Sequence, residues 1–156
     1  MKGWLLKYLL DQNVVREINA ENPNKNVSKW LDSIDDSDIS LSVLTLMESE
    51  KGIEMQRMKT TGDTSAKEKR ANAIERAEQS LRDLRADYQD RLLGIDEECA
   101  IELGKLVGQK NKDNFDLGYA ATAKRHNLIL VTRNLSDLKG RGVKLLNPFD
   151  ANPKVV

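Results

Sequence analysis

The chain has 156 residues, 39% of them hydrophobic, and 25 Lys and Arg side chains balance 25 Asp and Glu side chains. This length predicts one domain with its own core, and the zero net charge excludes nucleic-acid binding by bulk positive charge alone. No apolar run reaches the ~20 residues of a membrane span. The only cysteine, Cys99, and the only histidine, His126, exclude a disulfide framework, a Cys-rich zinc site and an HExxH motif, and predict a reducing cytoplasm.

The first half of the chain alternates between apolar runs of strand length and segments with helical spacing. Residues 39–43 alternate with period two, which is typical of a strand, and Thr45 is the expected N-cap of the helix that follows. Asn22 and Pro23 break the chain between two helices. The predicted elements are a strand at 7–10, helices at 14–18 and 27–34, a strand at 39–43 and a helix at 44–58.

The second half contains a long charged helix and then further strands and helices. The apolar side chains of the long helix, from Ile74 to Tyr88, step by three and four, so they predict a stripe packed on the domain or a dimer or partner seam. The predicted elements are a loop at 60–65, a helix near 66–92, a strand at 94–96, helices at 97–107 and 114–126, and strands at 128–131 and 143–146.

This alternation predicts an α/β fold with a mainly parallel central sheet of about four or five strands, flanked by helices. We expect a single domain over residues 1–150, with a helical hairpin or insert at about 45–92 and a short C-terminal tail at 151–156.

Acidic residues follow several of the predicted strands. Asp11 comes directly after the first strand, Glu48 lies one turn into the helix after the second, and Asp116 lies near the start of its helix. Sites in parallel sheets form beyond the carboxyl ends of the strands, so these acids are expected to converge. Their mutual repulsion is relieved by a divalent cation, and hard oxygen ligands favour Mg²⁺ or Mn²⁺. For any single acid, the alternative is a helix-capping role.

Five segments resemble, in order, motifs of the PIN-domain ribonucleases. Residues 9–17 resemble LDTNVxSE, 41–54 resemble LSVxTLxE…GIE, 116–123 resemble DxxIAATA, 130–138 resemble LVTRNxxDF, and 143–149 resemble VxxxNPF. Together they resemble VapC-type toxins of the FitB-like branch, with Gln12 in place of the usual Thr. The resemblance implies a single PIN-like domain.

The resemblance also implies roles for individual acids. Asp11 and Asp116 would hold Mg²⁺, with Mn²⁺ as the alternative ion, and Glu48 would complete the acidic triad directly or through a water. Some PIN domains have Asp where this chain has Asn134, so Asp137 is the candidate for the fourth acid.

Further residues are expected to support this site. Thr132 would orient a carboxylate or a water, Asn13 would brace the loop at Asp11, and Asn134 would be a further supporting residue of the acidic site. Arg133 is either a surface charge or a contact to substrate phosphate. Tyr119 is expected in the core or lining a groove.

The implied function is that of a Mg²⁺-dependent endoribonuclease, the toxin of a toxin–antitoxin pair. Its partners would be an RNA substrate, a VapB-like antitoxin and a second copy of the chain. The alternatives are a non-catalytic PIN-like binding module, whose acidic pocket docks a protein, and a nuclease acting on DNA or flaps.

Overall fold

A five-stranded parallel sheet forms the centre of the computed structural model, which describes residues 6–110 and 115–156. The strand order is β3-β2-β1-β4-β5, with Leu9 opposite both Ser40 and Leu130. The α/β fold with a parallel sheet is therefore as predicted. The strands are β1 (Tyr8–Leu10), β2 (Ile39–Ser42), β3 (Leu92–Leu93), β4 (Ile129–Val131) and β5 (Lys144–Leu146).

Seven helices in the described ranges flank this sheet, and two short 3₁₀ turns lie at Asp36–Asp38 and Gln89–Arg91. The predicted helix start at Asn114 lies outside the described residues. The helices are α1 (Gln12–Ile18), α2 (Lys25–Ser33), α3 (Val43–Arg57), α4 (Thr64–Asp87), α5 (Glu97–Lys110), α6 (Phe115–His126) and α7 (Leu135–Leu138).

Several predicted boundaries differ from those in the structure. Helix α3 begins at Val43 because the Ser42 hydroxyl caps it by accepting a hydrogen bond from the backbone N–H of Leu44 at 3.1 Å. Thr45, the expected cap, is instead fully buried inside the helix. The expected strand at 94–96 lies two residues earlier, because the backbone pairs Leu92 with Leu41 in β2.

The long helix α4 also ends earlier than expected. It stops at Asp87 rather than near residue 92, and a 3₁₀ turn then leads into β3. Arg91 holds this turn against the segment before β2, because its guanidinium donates to the backbone carbonyls of Asp36 and Ile39. The edge strand β3 is therefore attached to the sheet at both its backbone and the turn before it.

The sheet separates two apolar clusters. Neighbouring side chains of a strand point to opposite faces, so Leu10 packs with α1 and α2 while Leu9 packs with α5 and α6. Both leucines are fully buried, and burying each one contributes roughly 1.5–3 kcal/mol. Residues 151–156 return to the edge strand β5, where Val156 and Leu145 exchange two backbone hydrogen bonds of 2.9 Å. In the described parts of the chain, no helix is long and apolar enough to cross a membrane.

Candidate active site

The strand order places a crevice at the carboxyl ends of β1 and β4. The chain runs from β1 outward to β2 and β3 on one side, and it adds β4 and β5 on the other. Such a reversal of direction is where ligands bind in open α/β sheets. Asp11 follows β1 and Thr132 follows β4, and the backbone N–H of Asp11 donates to the carbonyl of Val131 at 3.0 Å. The first predicted acid therefore lies at this crevice.

Asp11 is a buried carboxylate, with only 3% of its surface exposed. Its Oδ1 accepts a hydrogen bond from the backbone N–H of Val14 at 3.2 Å and thereby caps α1, while the Thr132 hydroxyl donates to its Oδ2. Burial raises the pKa of Asp11 to about 6; the Thr132 and Val14 hydrogen bonds oppose this, and the charge of Asp116 adds to it. The ionised form of Asp11 is therefore costly in this site.

Asn134 connects the other two aspartates. Its side-chain amide donates to Asp116 Oδ2 at 2.7 Å and to Asp137 Oδ2 at 3.0 Å. Its backbone N–H donates to the Thr132 hydroxyl at 3.1 Å. Thr132 and Asn134 thus join Asp11, Asp116 and Asp137 into one hydrogen-bonded network. Asp137 lies on α7, a single helical turn that the apolar spacing did not predict.

Glu48 enters the site from α3 and is held by Tyr119 of α6. The Tyr119 hydroxyl donates to Glu48 Oε2 at 2.6 Å and lies 3.1 Å from the Thr45 hydroxyl. Burial, followed by the hydrogen bond to Glu48, raises the pKa of Tyr119 well above its usual range. The charges of Glu48 and Asp11 act in the same direction.

The remaining predicted residues lie at the rim. Asn13 is exposed on the first turn of α1; its backbone N–H lowers the pKa of Asp11, and its side chain makes no hydrogen bond to any described residue. The exposed Arg133 guanidinium stacks on Phe149 at 4.7 Å from the ring centroid. Tyr119 is the functional candidate whose role went unpredicted. The signal for it is a polar phenol one turn after Asp116, where the motif DxxIAATA has Ile.

The donor chemistry of the site suits a hard divalent cation. Carboxylate oxygens are the preferred ligands of Mg²⁺, and a bound cation would offset the burial cost that the raised pKa of Asp11 records. Within the described ranges, however, no three acidic, His or Cys side chains lie close enough together to form a ready cage. Asp116 accepts a hydrogen bond from Asn134 and Glu48 accepts one from Tyr119, so each of these two acids is already oriented by a donor.

A groove of about 480 Å³ opens beside Glu48, between α1, α3 and α4. Ile74, Ala77 and Leu81 of the α4 stripe line one of its walls. Gln12 lies at the end next to the acids, where its Nε2 donates to the Ser49 hydroxyl at 3.1 Å. Its buried Oε1 has no hydrogen-bond partner among the described residues. The α4 stripe therefore faces a groove whose lining includes Glu48.

The sequence model of the PIN domain matches residues 8–138, so the chain belongs to the PIN-domain family. It is 31% identical over 147 residues to the toxin FitB of Neisseria gonorrhoeae, an alignment that covers 90% of this chain and 97% of that protein. The plasmid stability protein StbB of Pseudomonas syringae pv. tomato is 24% identical, with 92% and 99% of the two chains covered. The resemblance that the five motifs carry is thereby confirmed: this chain is a PIN-domain protein that is similar to the toxin FitB.

Solved structures agree with this assignment. A structure of FitAB bound to an IR36 DNA fragment has a TM-score of 0.69 at 30% identity, covering 93% of this chain and 97% of that one. VapBC2 from Rickettsia felis, bound to a promoter DNA fragment, has a TM-score of 0.60 at 21% identity and covers 88% and 96%. The second similarity concerns the fold alone.

Proposed function

We propose that this chain is a Mg²⁺-dependent endoribonuclease. The observation that carries the proposal is the buried carboxylate of Asp11 at the topological switch point, joined through Thr132 and Asn134 to Asp116. Although Asp11 caps α1, its burial raises its pKa to about 6 and disfavours the ionised form. Its place is explained by a cation that the acids bind together.

Asp11, Asp116 and Glu48 would hold the ion, with Mn²⁺ as the alternative to Mg²⁺. When bound, the ion supplies Lewis-acid activation of water and offsets the charge that develops on the phosphate. Thr132 orients Asp11 by donating to its Oδ2, and Asn134 orients Asp116. Asp137 shares the Asn134 amide and serves as the fourth acid. A carboxylate of the site would accept a proton from the attacking water, whose oxygen bonds to phosphorus as the P–O3′ bond breaks. The leaving 3′-oxygen would take up a proton, so that RNA is cut to leave a 5′-phosphate and a 3′-hydroxyl.

RNA contact is assigned to the rim of the site. Arg133 is exposed next to the acids, and its stacking on Phe149 holds the guanidinium in place for a phosphate. Asn13 lies on the exposed first turn of α1, where its amide can contact the backbone of the substrate. We propose that these two side chains position RNA without changing the chemistry of the acids.

The antitoxin is assigned to the groove between α1, α3 and α4. FitB, at 31% identity, is a toxin, and its solved structure is a complex with FitA. The groove offers apolar walls along α4 and ends at Glu48, so it suits an apolar segment of a small VapB-like antitoxin that covers the acids. We also propose that the chain forms a homodimer and that it acts in the cytoplasm.

The catalytic proposal is tested with purified protein and a mixed RNA substrate. Wild type should cut RNA in Mg²⁺ and stop in EDTA, whereas Asp11→Asn and Asp116→Asn should lose cleavage and growth inhibition while remaining folded. Normal toxicity in both variants would refute the site assignment. Cutting of a matched DNA or flap substrate in preference to RNA would identify a DNA nuclease instead.

A second candidate function is a binding module that docks a protein in its acidic pocket. One observation favours it. Asp116 and Glu48 accept hydrogen bonds from Asn134 and Tyr119, and no three acids among the described residues are grouped closely enough to hold a metal ion. A protein that cuts neither RNA nor DNA in Mg²⁺ or Mn²⁺, yet binds its partner through these acids, would support this module.

A further inference from the structure

The carboxylate of Glu48 is reached by a chain of two buried hydroxyl groups. Tyr119 is 1% exposed and Thr45 is fully buried. The Tyr119 hydroxyl has a single proton, which it donates to Glu48 Oε2 at 2.6 Å. Thr45 therefore acts as the donor in the 3.1 Å contact between the two hydroxyls. The order of donation is Thr45 to Tyr119 to Glu48.

The two helices that carry this chain of hydroxyls are packed closely together. Thr45 and Glu48 are one turn apart on α3, and Asp116 and Tyr119 are one turn apart on α6, so each pair shares a face of its helix. Between the helices, Gly118 provides the close approach: a Cβ at this position would lie 2.5 Å from Leu44 Cδ1. Helices α3 and α6 are therefore in close contact at the residue next to Tyr119.

A purely structural role for Tyr119 would not require its hydrogen bond to Glu48. A buried phenol is satisfied by one hydrogen-bond partner, and Thr45 is available as that partner. Tyr119 instead donates its hydroxyl proton to Oε2 of Glu48, so this carboxylate oxygen already has a hydrogen-bond partner. Its other oxygen, Oε1, accepts no hydrogen bond from any described residue.

We propose that Tyr119, supported by Thr45, is a positioning residue that fixes the Glu48 carboxylate for a divalent cation. The proposal rests on the proposed function for the task of Glu48, and it adds how this chain orients that acid. Tyr119 occupies the position where the motif DxxIAATA has Ile, which has no hydroxyl. Tyr119 therefore gives this chain a support for Glu48 that the motif lacks.

The test is Tyr119→Phe, which removes one oxygen atom from a buried ring. Mn²⁺ affinity by titration calorimetry should weaken about tenfold, the scale expected when a residue that orients a ligand is lost. In RNA cleavage, kcat should fall by a similar factor while KM for RNA stays unchanged. Thr45→Val, which keeps the side-chain shape, should weaken Mn²⁺ binding in the same direction by about threefold.

Tyr88→Phe is the matched control. The Tyr88 hydroxyl also donates to a carboxylate, Asp36 Oδ1 at 3.3 Å, and Tyr88 is 6% exposed, but it lies in the other apolar cluster, away from the acids. Its loss should leave Mn²⁺ affinity unchanged. Both Phe variants should show cooperative urea unfolding.

A double-mutant comparison separates positioning from a general loss of structure. In a Glu48→Gln background, Tyr119→Phe should cause no further loss of Mn²⁺ affinity, because Tyr119 acts only through Glu48. The proposal would be overturned by any of three results. They are an unchanged Mn²⁺ affinity in Tyr119→Phe, a loss of affinity on Tyr119→Phe that is as large in the Glu48→Gln background as in wild type, and no Mn²⁺ binding by wild type. If wild type binds Mn²⁺ but cuts no RNA, the proposed function fails, and the affinity comparison still decides the role of Tyr119.

Discussion

Replacing Asp11 by Asn should make the protein inactive and at the same time more stable. The buried carboxyl has a pKa of about 6 against an ordinary value of 3.8, so folding disfavours its ionised form. Two pKa units correspond to about 3 kcal/mol, which Asp11→Asn would recover at pH 8 because the amide carries no charge. At the size of this chain, that gain raises Tm by about 6–12 °C.

The direction of the pKa shift of Asp11 determines how the stability difference between Asp11→Asn and wild type changes with pH. A carboxyl whose folded pKa is raised stabilises the fold below its unfolded pKa, and that contribution is lost as pH rises toward the folded value. The stability gap between Asp11→Asn and wild type should therefore be absent below pH 4, open between about pH 4 and 6, and stay constant above. Asp32→Asn, at an exposed position of α2, is the control and should show no such gap.

Thermal unfolding followed by circular dichroism at pH 3.5 and pH 8 is the assay. Addition of Mg²⁺ at pH 8 should stabilise wild type by binding to the folded state and should have little effect on Asp11→Asn. An equal or lower Tm for Asp11→Asn at pH 8 would refute the reasoning, since the buried charge would then carry no cost.

Three further predictions concern the acidic network, the edge strand and RNA binding. Asn134→Asp places a third carboxylate against Asp116 and Asp137, so it should lower Tm in EDTA and recover the loss in Mg²⁺; a lower Tm that Mg²⁺ leaves unchanged would contradict this. Arg91→Ala removes the hydrogen bonds to three backbone carbonyls, those of Asp36, Ile39 and Asp87, from a side chain that is 13% exposed. Urea unfolding should show a loss of about 1–3 kcal/mol, whereas Arg85→Ala on exposed α4 should be near zero. With three acids assigned to metal, 25 basic side chains remain against 22 acidic ones. RNA affinity, measured by fluorescence anisotropy with an inactive variant that retains metal binding, should therefore rise with Mg²⁺ concentration and fall with the logarithm of the salt concentration. An affinity that depends on neither would exclude this electrostatic account.

The antitoxin assignment is tested on the wall of the groove. Ala77→Glu introduces a charge into the apolar groove from an exposed position of α4, and it should abolish co-purification with the product of a short neighbouring reading frame. Ala86→Glu, on the same helix outside the groove, is the control and should co-purify as wild type does. RNA cleavage by both variants alone should be unchanged. Retained co-purification of Ala77→Glu would place the partner elsewhere.

Features that depend on local sequence were predictable from the chain. Buried runs such as 128–131 read as strands covered on both faces, and placing Asp11 at a strand end needed only the rule that parallel strands end at one edge. The two-residue strand β3 was misplaced because backbone pairing with β2, rather than its own composition, defines it. The single turn of α7 is likewise too short to produce a periodic signal.

The tertiary part of the site could not be obtained in this way. Tyr119 meets Glu48 across 71 residues of chain, and the contact depends on the close approach of α3 and α6 at Gly118. Likewise, Asn134 bridges Asp116 and Asp137 only because α6 and α7 are adjacent in space. Apolar spacing reports which face of a helix is buried, and it does not report which polar groups meet across two helices.

The central claim is that acids and a divalent cation activate water to cut RNA. The most direct measurement is cleavage of an RNA that carries a single 2′-deoxy nucleotide at the scissile position, with the product ends identified by mass spectrometry. The account predicts cleavage in Mg²⁺ that persists at the deoxy position, leaves a 5′-phosphate and a 3′-hydroxyl, and stops in EDTA. A 2′,3′-cyclic phosphate, or cleavage that survives EDTA, would contradict it.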